Sequence, residues 1–129
     1  MILGIDLGKK TTGLAVSSGT IATPLTTVKH KSPEAAVEKI SAICREESVD
    51  KVVLGFVEGK IKSYFLDFAE KFRQKNPHID LVMVDETLTS RQAVETMINI
   101  NLPKEKRQLR EHEIAASIIL QGYLDSLTL

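Results

Sequence analysis

Three short apolar runs, separated by tight glycine-containing connections, open the chain. They predict strands over 2–7, 12–17 and 20–28, with turns over 8–11 and at Ser18-Gly19. Connections this short join antiparallel neighbours. The pattern therefore predicts an antiparallel meander of three strands.

From residue 33 onward, helical and strand patterns alternate. Apolar residues recur at helical spacing over about 33–47, about 60–75, from Thr89 onward, and over about 111–126. Continuous apolar runs predict strands over 51–55 and 79–84, and the polar, basic segment 101–108 is expected to be a loop. The order βββαβαβαα indicates an α/β fold with a five-stranded mixed sheet, the meander plus two parallel strands, flanked by helices. We expect a ribonuclease H-like architecture.

Composition limits the class of protein. The 129 residues are expected to form a single domain, 1–129, since 43% of them are hydrophobic and no low-complexity segment interrupts them. Lysine plus arginine equals aspartate plus glutamate at 17 each, so net charge provides no overall attraction to nucleic acid. The single Cys44 indicates a reducing compartment, and neither a signal peptide nor an apolar run long enough to cross a bilayer is evident. We therefore expect a cytoplasmic protein with no membrane partner.

One acidic residue stands out because it ends an otherwise apolar strand. Asp6 follows Ile2, Leu3 and Ile5 and precedes Gly8 and the cationic pair Lys9-Lys10. A buried charge needs a partner. The usual partners are a metal ion or a phosphate-bearing ligand held through one.

An ordered set of motifs resembles the YqgF (RuvX) family. The set comprises GIDLG at 4–8 with Lys10 and Gly13, ATPLTT at 22–27, VVLG at 52–55, DETLTS at 85–90 and AASIILQGYLD at 115–125. The family is similar to Holliday-junction resolvases of the ribonuclease H superfamily. It is associated with resolution of DNA junctions and with 5′-end processing of pre-16S ribosomal RNA. The resemblance implies a nuclease acting on structured DNA or RNA, such as branched DNA or a ribosomal RNA precursor.

Hydrolysis of a phosphodiester can use two divalent ions about 3.5–4 Å apart, one activating water and one stabilising the leaving oxygen. Mg²⁺ (or Mn²⁺) would need several acids gathered from separate elements. The family pattern maps Asp6 and Glu86 onto metal-binding carboxylates. The third family acid, an aspartate at the start of the last predicted helix, is replaced by His112, with Glu111 and Glu113 on either side.

Three outcomes follow for this third position. His112 binds the metal itself, Glu113 reaches the site through a small shift at a frayed helix start, or the site is incomplete. Our predicted catalytic set is Asp6, Glu86, His112 and Glu113, with Asp6, Glu86 and Glu113 as metal ligands.

Other departures concern charge. Thr11 and Thr87 stand where the family has arginines, which removes two bidentate phosphate contacts. Glu58 either supplies the missing negative charge or is a solvated turn residue beside Gly59. Cations nevertheless cluster, and the predicted nucleic-acid contacts are Lys9, Lys10, Lys104, Lys106, Arg107 and Arg110, with Lys29 and Lys31 as a further cluster. Aromatic residues make up only 5% of the chain, which favours contacts to the backbone over base stacking.

Two rival functions come from other classes. A catalytically weak or inactive nucleic-acid-binding protein of the same fold is motivated by the altered third acid and the missing arginines. An actin-like ATPase, whose phosphate loop resembles the Asp6–Thr12 segment, would need a second half-domain that 129 residues cannot provide. Resolving a junction needs two active sites, usually in a symmetric dimer, whereas a monomer can trim one RNA strand, so monomer and homodimer both stay open.

Overall fold

Five strands form one mixed sheet at the centre of the fold. The computed structural model describes residues 1–56, 62–85 and 104–127, with the side chains of 104–109 outside the description. The strands are β1 (Ile2–Leu7), β2 (Thr11–Ser17), β3 (Thr23–Lys29), β4 (Lys51–Phe56) and β5 (Asp80–Asp85). Their order is β3-β2-β1-β4-β5, with β1, β2 and β3 antiparallel and with β1, β4 and β5 parallel. The predicted meander and the two parallel strands are confirmed.

Helices cover both faces of the sheet. They are α1 (Pro33–Glu46), α2 (Lys62–Lys75) and α3 (Lys104–Ser126). Helix α1 begins where the sequence predicts, because the Ser32 hydroxyl accepts a hydrogen bond from the Ala35 N–H at 3.1 Å. Helices α1 and α2 bury Leu3, Ile5 and Leu7 of β1, whereas α3 packs against Ala15 and Val53. Alternate residues of β1 therefore face different helices.

Two predicted boundaries are wrong by three residues or more. Helix α3 begins at Lys104 rather than near 111, so the expected loop over 101–108 is helical from 104 onward. This segment lacks an apolar stripe, but its lysine, glutamate, arginine and leucine residues all have high helix propensity. Strand β3 begins at Thr23 rather than residue 20. The side chain of Gln121 on α3 binds the Ala22 N–H and the Thr20 carbonyl instead, each at 2.9 Å.

The helix expected after Thr89 lies outside the described residues. Within the described ranges, no helix combines the length and the apolar character needed to span a membrane. The carboxyl ends of β1, β4 and β5 share one end of the sheet with the start of β2 and the end of β3. That end carries the candidate site.

Candidate active site

Asp6 lies near the carboxyl end of the central strand, on the face that α3 covers. It pairs with Gly13 of β2 on one side and with Gly55 of β4 on the other. The residue is only 9% exposed. A carboxylate screened from water in this way requires compensating polar partners or cations.

Glycines around Asp6 allow α3 to approach the sheet closely. A Cβ built on Gly13 would lie 1.9 Å from the carbonyl oxygen of His112, and one on Gly55 would lie 2.6 Å from Cδ1 of Ile119. A side chain at either position would therefore displace the helix or its side chains. Because glycine has no side chain, the α3 backbone can lie directly beside Asp6.

His112 is the α3 residue that this approach brings to Asp6. Its Nδ1 lies 3.7 Å from Asp6 Oδ2, and its Nε2 lies 3.1 Å from the hydroxyl oxygen of Thr11. The imidazole thus lies between a nearly buried carboxylate and a hydroxyl. Such a ring can ligate a metal ion or carry a proton, according to which nitrogen bears the hydrogen.

Glu113 is directed elsewhere. Its Oε1 accepts a hydrogen bond from Nε of Arg110 at 2.9 Å, and the hydroxyl of Thr27 on β3 lies 3.5 Å from its Oε2. Thr27 pairs with Gly13, which pairs with Asp6, so Thr27 is two strands, or about 10 Å, from Asp6. The structure thus brings His112 to Asp6 and turns Glu113 toward the edge strand β3.

The idea of a frayed helix start near Glu113 is wrong. Helix α3 begins at Lys104, so His112 and Glu113 lie about two turns inside it. Intrahelical hydrogen bonds hold the backbone there, and a local shift would break them. A metal-binding role for Glu113 stays a prediction, as does that of His112.

Some of the remaining predicted site residues lie within the described ranges, and others lie outside them. Glu86, Glu58 and Thr87 lie outside the described residues, as do the side chains of Lys104, Lys106 and Arg107. Asp85 is the last residue of β5, at the same end of the sheet as Asp6. Lys9 and Lys10 are exposed in the turn between β1 and β2, and Arg110 is 47% exposed beside Glu113. Across 1–56, 62–85 and 110–127, no group of three or more histidine, cysteine or acidic side chains could hold a metal ion.

Two groups that shape this end of the sheet are not evident from the sequence. Thr11 was notable only for the arginine it replaces, yet its hydroxyl contacts His112. Tyr64 of α2 donates its hydroxyl hydrogen to the carbonyl of Gly8 at 3.1 Å and so fixes the turn that follows Asp6. Burial, and then the nearby Glu34 carboxylate, raises the pKa of Tyr64, which keeps this donor protonated. Only the packing of α3 and of α2 against the sheet reveals these contacts.

Comparison with protein families gives a match over nearly the whole chain. A family model, RuvX, described as "Holliday junction resolvase", matches residues 1–126. A relative from Clostridium botulinum is 36% identical over 98% of both chains and bears the name "Putative pre-16S rRNA nuclease". A relative of the same name from Caldanaerobacter subterraneus subsp. tengcongensis is 39% identical over 97% of this chain and 96% of its own.

Solved structures resemble the fold. Thermus thermophilus RuvC in complex with a Holliday junction substrate gives a TM-score of 0.63 at 13% identity, covering 98% of this chain and 96% of that one. The fowlpox virus Holliday junction resolvase gives 0.60 at 14% identity, covering 98% of each chain. At these identities the likeness concerns the fold, and it confirms the predicted ribonuclease H-like architecture.

Proposed function

The chain belongs to the RuvX family of Holliday junction resolvases, and we propose that it is a metal-dependent nuclease that hydrolyses phosphodiester bonds of structured nucleic acid. The names of its relatives point to precursors of 16S ribosomal RNA, and the family description points to four-way DNA junctions. The observation that carries the proposal is the nearly buried Asp6 carboxylate facing His112 at the carboxyl end of β1. Substrates of this kind imply a cytoplasmic location.

The described donor atoms fit a divalent cation. Carboxylate oxygens suit Mg²⁺ and Mn²⁺, and an imidazole nitrogen is acceptable to Mn²⁺. The 3.7 Å between Asp6 Oδ2 and His112 Nδ1 exceeds a hydrogen bond. It lies within the reach of two atoms that each sit about 2.1 Å from one ion. We assign Asp6 and Glu86 as carboxylate ligands, with His112 rather than Glu113 as the α3 ligand, since Arg110 already engages Glu113.

When bound, the metal would activate water and neutralise charge on the leaving oxygen. The chain's own residues prepare the position. If Nε2–H of His112 donates to the Thr11 hydroxyl, the lone pair of Nδ1 is directed to the Asp6 side. In that arrangement His112 has the tautomer that can ligate a cation. Lys9 and Lys10, in the turn that follows β1, would neutralise backbone phosphates on either side of the cut.

A cleavage assay tests the proposal. The purified chain is incubated with four-way junctions, flaps, duplex RNA and a ribosomal RNA precursor, each with Mg²⁺, with Mn²⁺ and without metal. We expect metal-dependent cleavage of at least one substrate, lost in Asp6→Asn and reduced in His112→Ala, with Glu113→Gln nearly as active as the parent. Cleavage that survives Asp6→Asn would overturn the site assignment.

The second candidate function is nucleic-acid binding without cleavage activity. The Arg110–Glu113 ion pair favours it, because this pair engages the carboxylate next to the third acidic position of the family. Binding of the same substrates with no cleavage in either metal would support this candidate. The size of the complex on a four-way junction distinguishes a monomer from a homodimer.

A further inference from the structure

A pocket of about 640 Å³ opens at the same end of the sheet, next to the candidate active site. Four lysines line it: Lys10 from the turn after β1, Lys29 from the end of β3, Lys31 from the following loop, and Lys39 from α1. We call this the lysine pocket. His30 and Thr11 also border it. Of these lysines, only Lys10 has a role in the proposed active site, where it would neutralise a backbone phosphate.

The acidic residues of α1, which also carries Lys39, do not neutralise the lysine pocket. Glu34 and Glu38 of α1 form ion pairs with Lys71 and Lys75 of α2 instead. In the described ranges, none of the four pocket lysines pairs with an acid, and the Lys39 ammonium donates to the carbonyl of Lys29. Four lysines that border one cavity concentrate positive charge there, which would favour a bound anion.

His30 provides an independent sign of a missing ligand. The residue is 4% exposed, and its Nε2 lies 2.7 Å from the hydroxyl oxygen of Thr12. Its other ring nitrogen, Nδ1, is buried and has no hydrogen-bond partner among the described residues. An unsatisfied buried polar atom is costly and therefore uncommon. If the Thr12 hydroxyl donates to Nε2, Nδ1 carries a hydrogen and can donate to an anion.

Adjacent threonines connect this pocket to the active site. Thr11 points to the α3 face and contacts His112, whereas Thr12 points to the α1 face and contacts His30. Thr11 also borders the lysine pocket itself. Because Asp6 and the lysine pocket lie at the same end of the sheet, one strand of nucleic acid can contact both.

We propose that the lysine pocket binds one backbone phosphate of the polynucleotide whose other phosphate lies at Asp6. This proposal rests on the proposed function and adds a separate binding site to it. Lysine is a point-charge donor, so the contact would position the strand without reading its sequence. Phosphates of DNA and of RNA would serve equally.

Salt-dependent binding tests the proposal. In an Asp6→Asn background, which allows binding without cleavage, the double variant Lys31→Gln/Lys39→Gln removes two pocket charges. The matched control Lys51→Gln/Arg73→Gln removes two positive charges at the opposite end of the sheet. Affinity for a four-way junction and for a structured RNA is measured from low to moderate salt.

We expect the pocket variant to lower the slope of log K against log salt by about 1, equally for all base sequences, and the control to leave the slope unchanged. Nucleic acid should also shift the ¹⁵Nδ1 resonance of His30 in the parent but not in the pocket variant. Equal slopes for the pocket variant and its parent would overturn the lysine pocket alone. Absence of any binding by the Asp6→Asn parent would overturn the proposed function together with it. A His30 shift caused by inorganic phosphate, with the slope unchanged, would restrict the pocket to free phosphate and refute the strand contact.

Discussion

Replacing Gly13 by alanine is expected to detach α3 from the sheet at the active site itself. The new Cβ would lie 1.9 Å from the carbonyl oxygen of His112 and 2.6 Å from the N–H nitrogen of the next residue, Glu113, whereas real Cβ atoms essentially never approach within 3.0 Å. Both obstacles are backbone atoms within a helix, so no side-chain rotation can relieve the clash. The helix must retreat by at least about 1.1 Å, at a cost of about 3 kcal/mol or more in the free energy of unfolding.

The same retreat would misplace His112. Its contacts of 3.7 Å with Asp6 and 3.1 Å with Thr11 would both lengthen. Since a displacement of about 1 Å can cost about 100-fold in rate, we expect cleavage to fall by at least that factor in the folded fraction. Urea unfolding measures the first effect, and single-turnover cleavage at saturating enzyme measures the second.

A graded series of glycine variants provides the controls. In Gly55→Ala the three atoms nearest the new Cβ belong to the side chain of Ile119 rather than to backbone, so this change should cost less than Gly13→Ala. A Cβ added to Gly122 of α3 would meet no atom within 4 Å, so Gly122→Ala should stabilise the helix by about 0.5–1 kcal/mol and leave cleavage intact. If Gly13→Ala unfolds at the parent's urea concentration and cleaves at the parent's rate, the close approach of α3 to β2 is refuted.

Three further predictions concern Thr11, His30 and Asn76. Thr11→Val removes the hydroxyl that contacts His112 and should lower metal affinity or activity by about 10–100-fold. The control Thr11→Ser keeps a hydroxyl and should stay close to the parent. Equal activity of the two variants in metal titrations would contradict this prediction. Burial lowers the pKa of His30, so the unfolded chain takes up a proton at a higher pH than the folded protein. The contribution of neutral His30 to the free energy of unfolding is therefore full above pH ~6.5 and declines as the pH falls through the native pKa. Urea unfolding between pH 8 and 5 should show a smaller decline in His30→Gln than in the parent, and identical pH profiles would count against this prediction. Asn76→Ala leaves the buried Ser41 hydroxyl without its 2.9 Å partner and should lower the free energy of unfolding by about 1–3 kcal/mol. Adding Ser41→Ala should restore part of this loss. A double variant no more stable than the single one in urea unfolding would refute this pairing.

The sequence by itself determined the elements whose cause is local. Glycine-containing turns and alternating apolar residues specify the meander of β1 to β3, and Ser32-Pro33 specify where α1 begins. The same local pattern made Asp6 conspicuous, because a carboxylate that ends an apolar strand has no local partner. Ordered motifs were enough to identify the family, since each motif is a short contiguous segment of the chain.

Only the tertiary structure decided which side chains meet Asp6. A helix turns by about 100° per residue, so a rotation of one position separates His112, beside Asp6, from Glu113, beside Thr27. That rotation depends on how α3 rests on Gly13 and Gly55, which are distant from it in sequence, and nothing in either motif shows which helix residue packs there. The partners of Thr11 and Thr12 likewise come from opposite faces of the sheet, 101 and 18 residues away. Packing between remote elements sets these contacts, and no local window of sequence contains both sides of them.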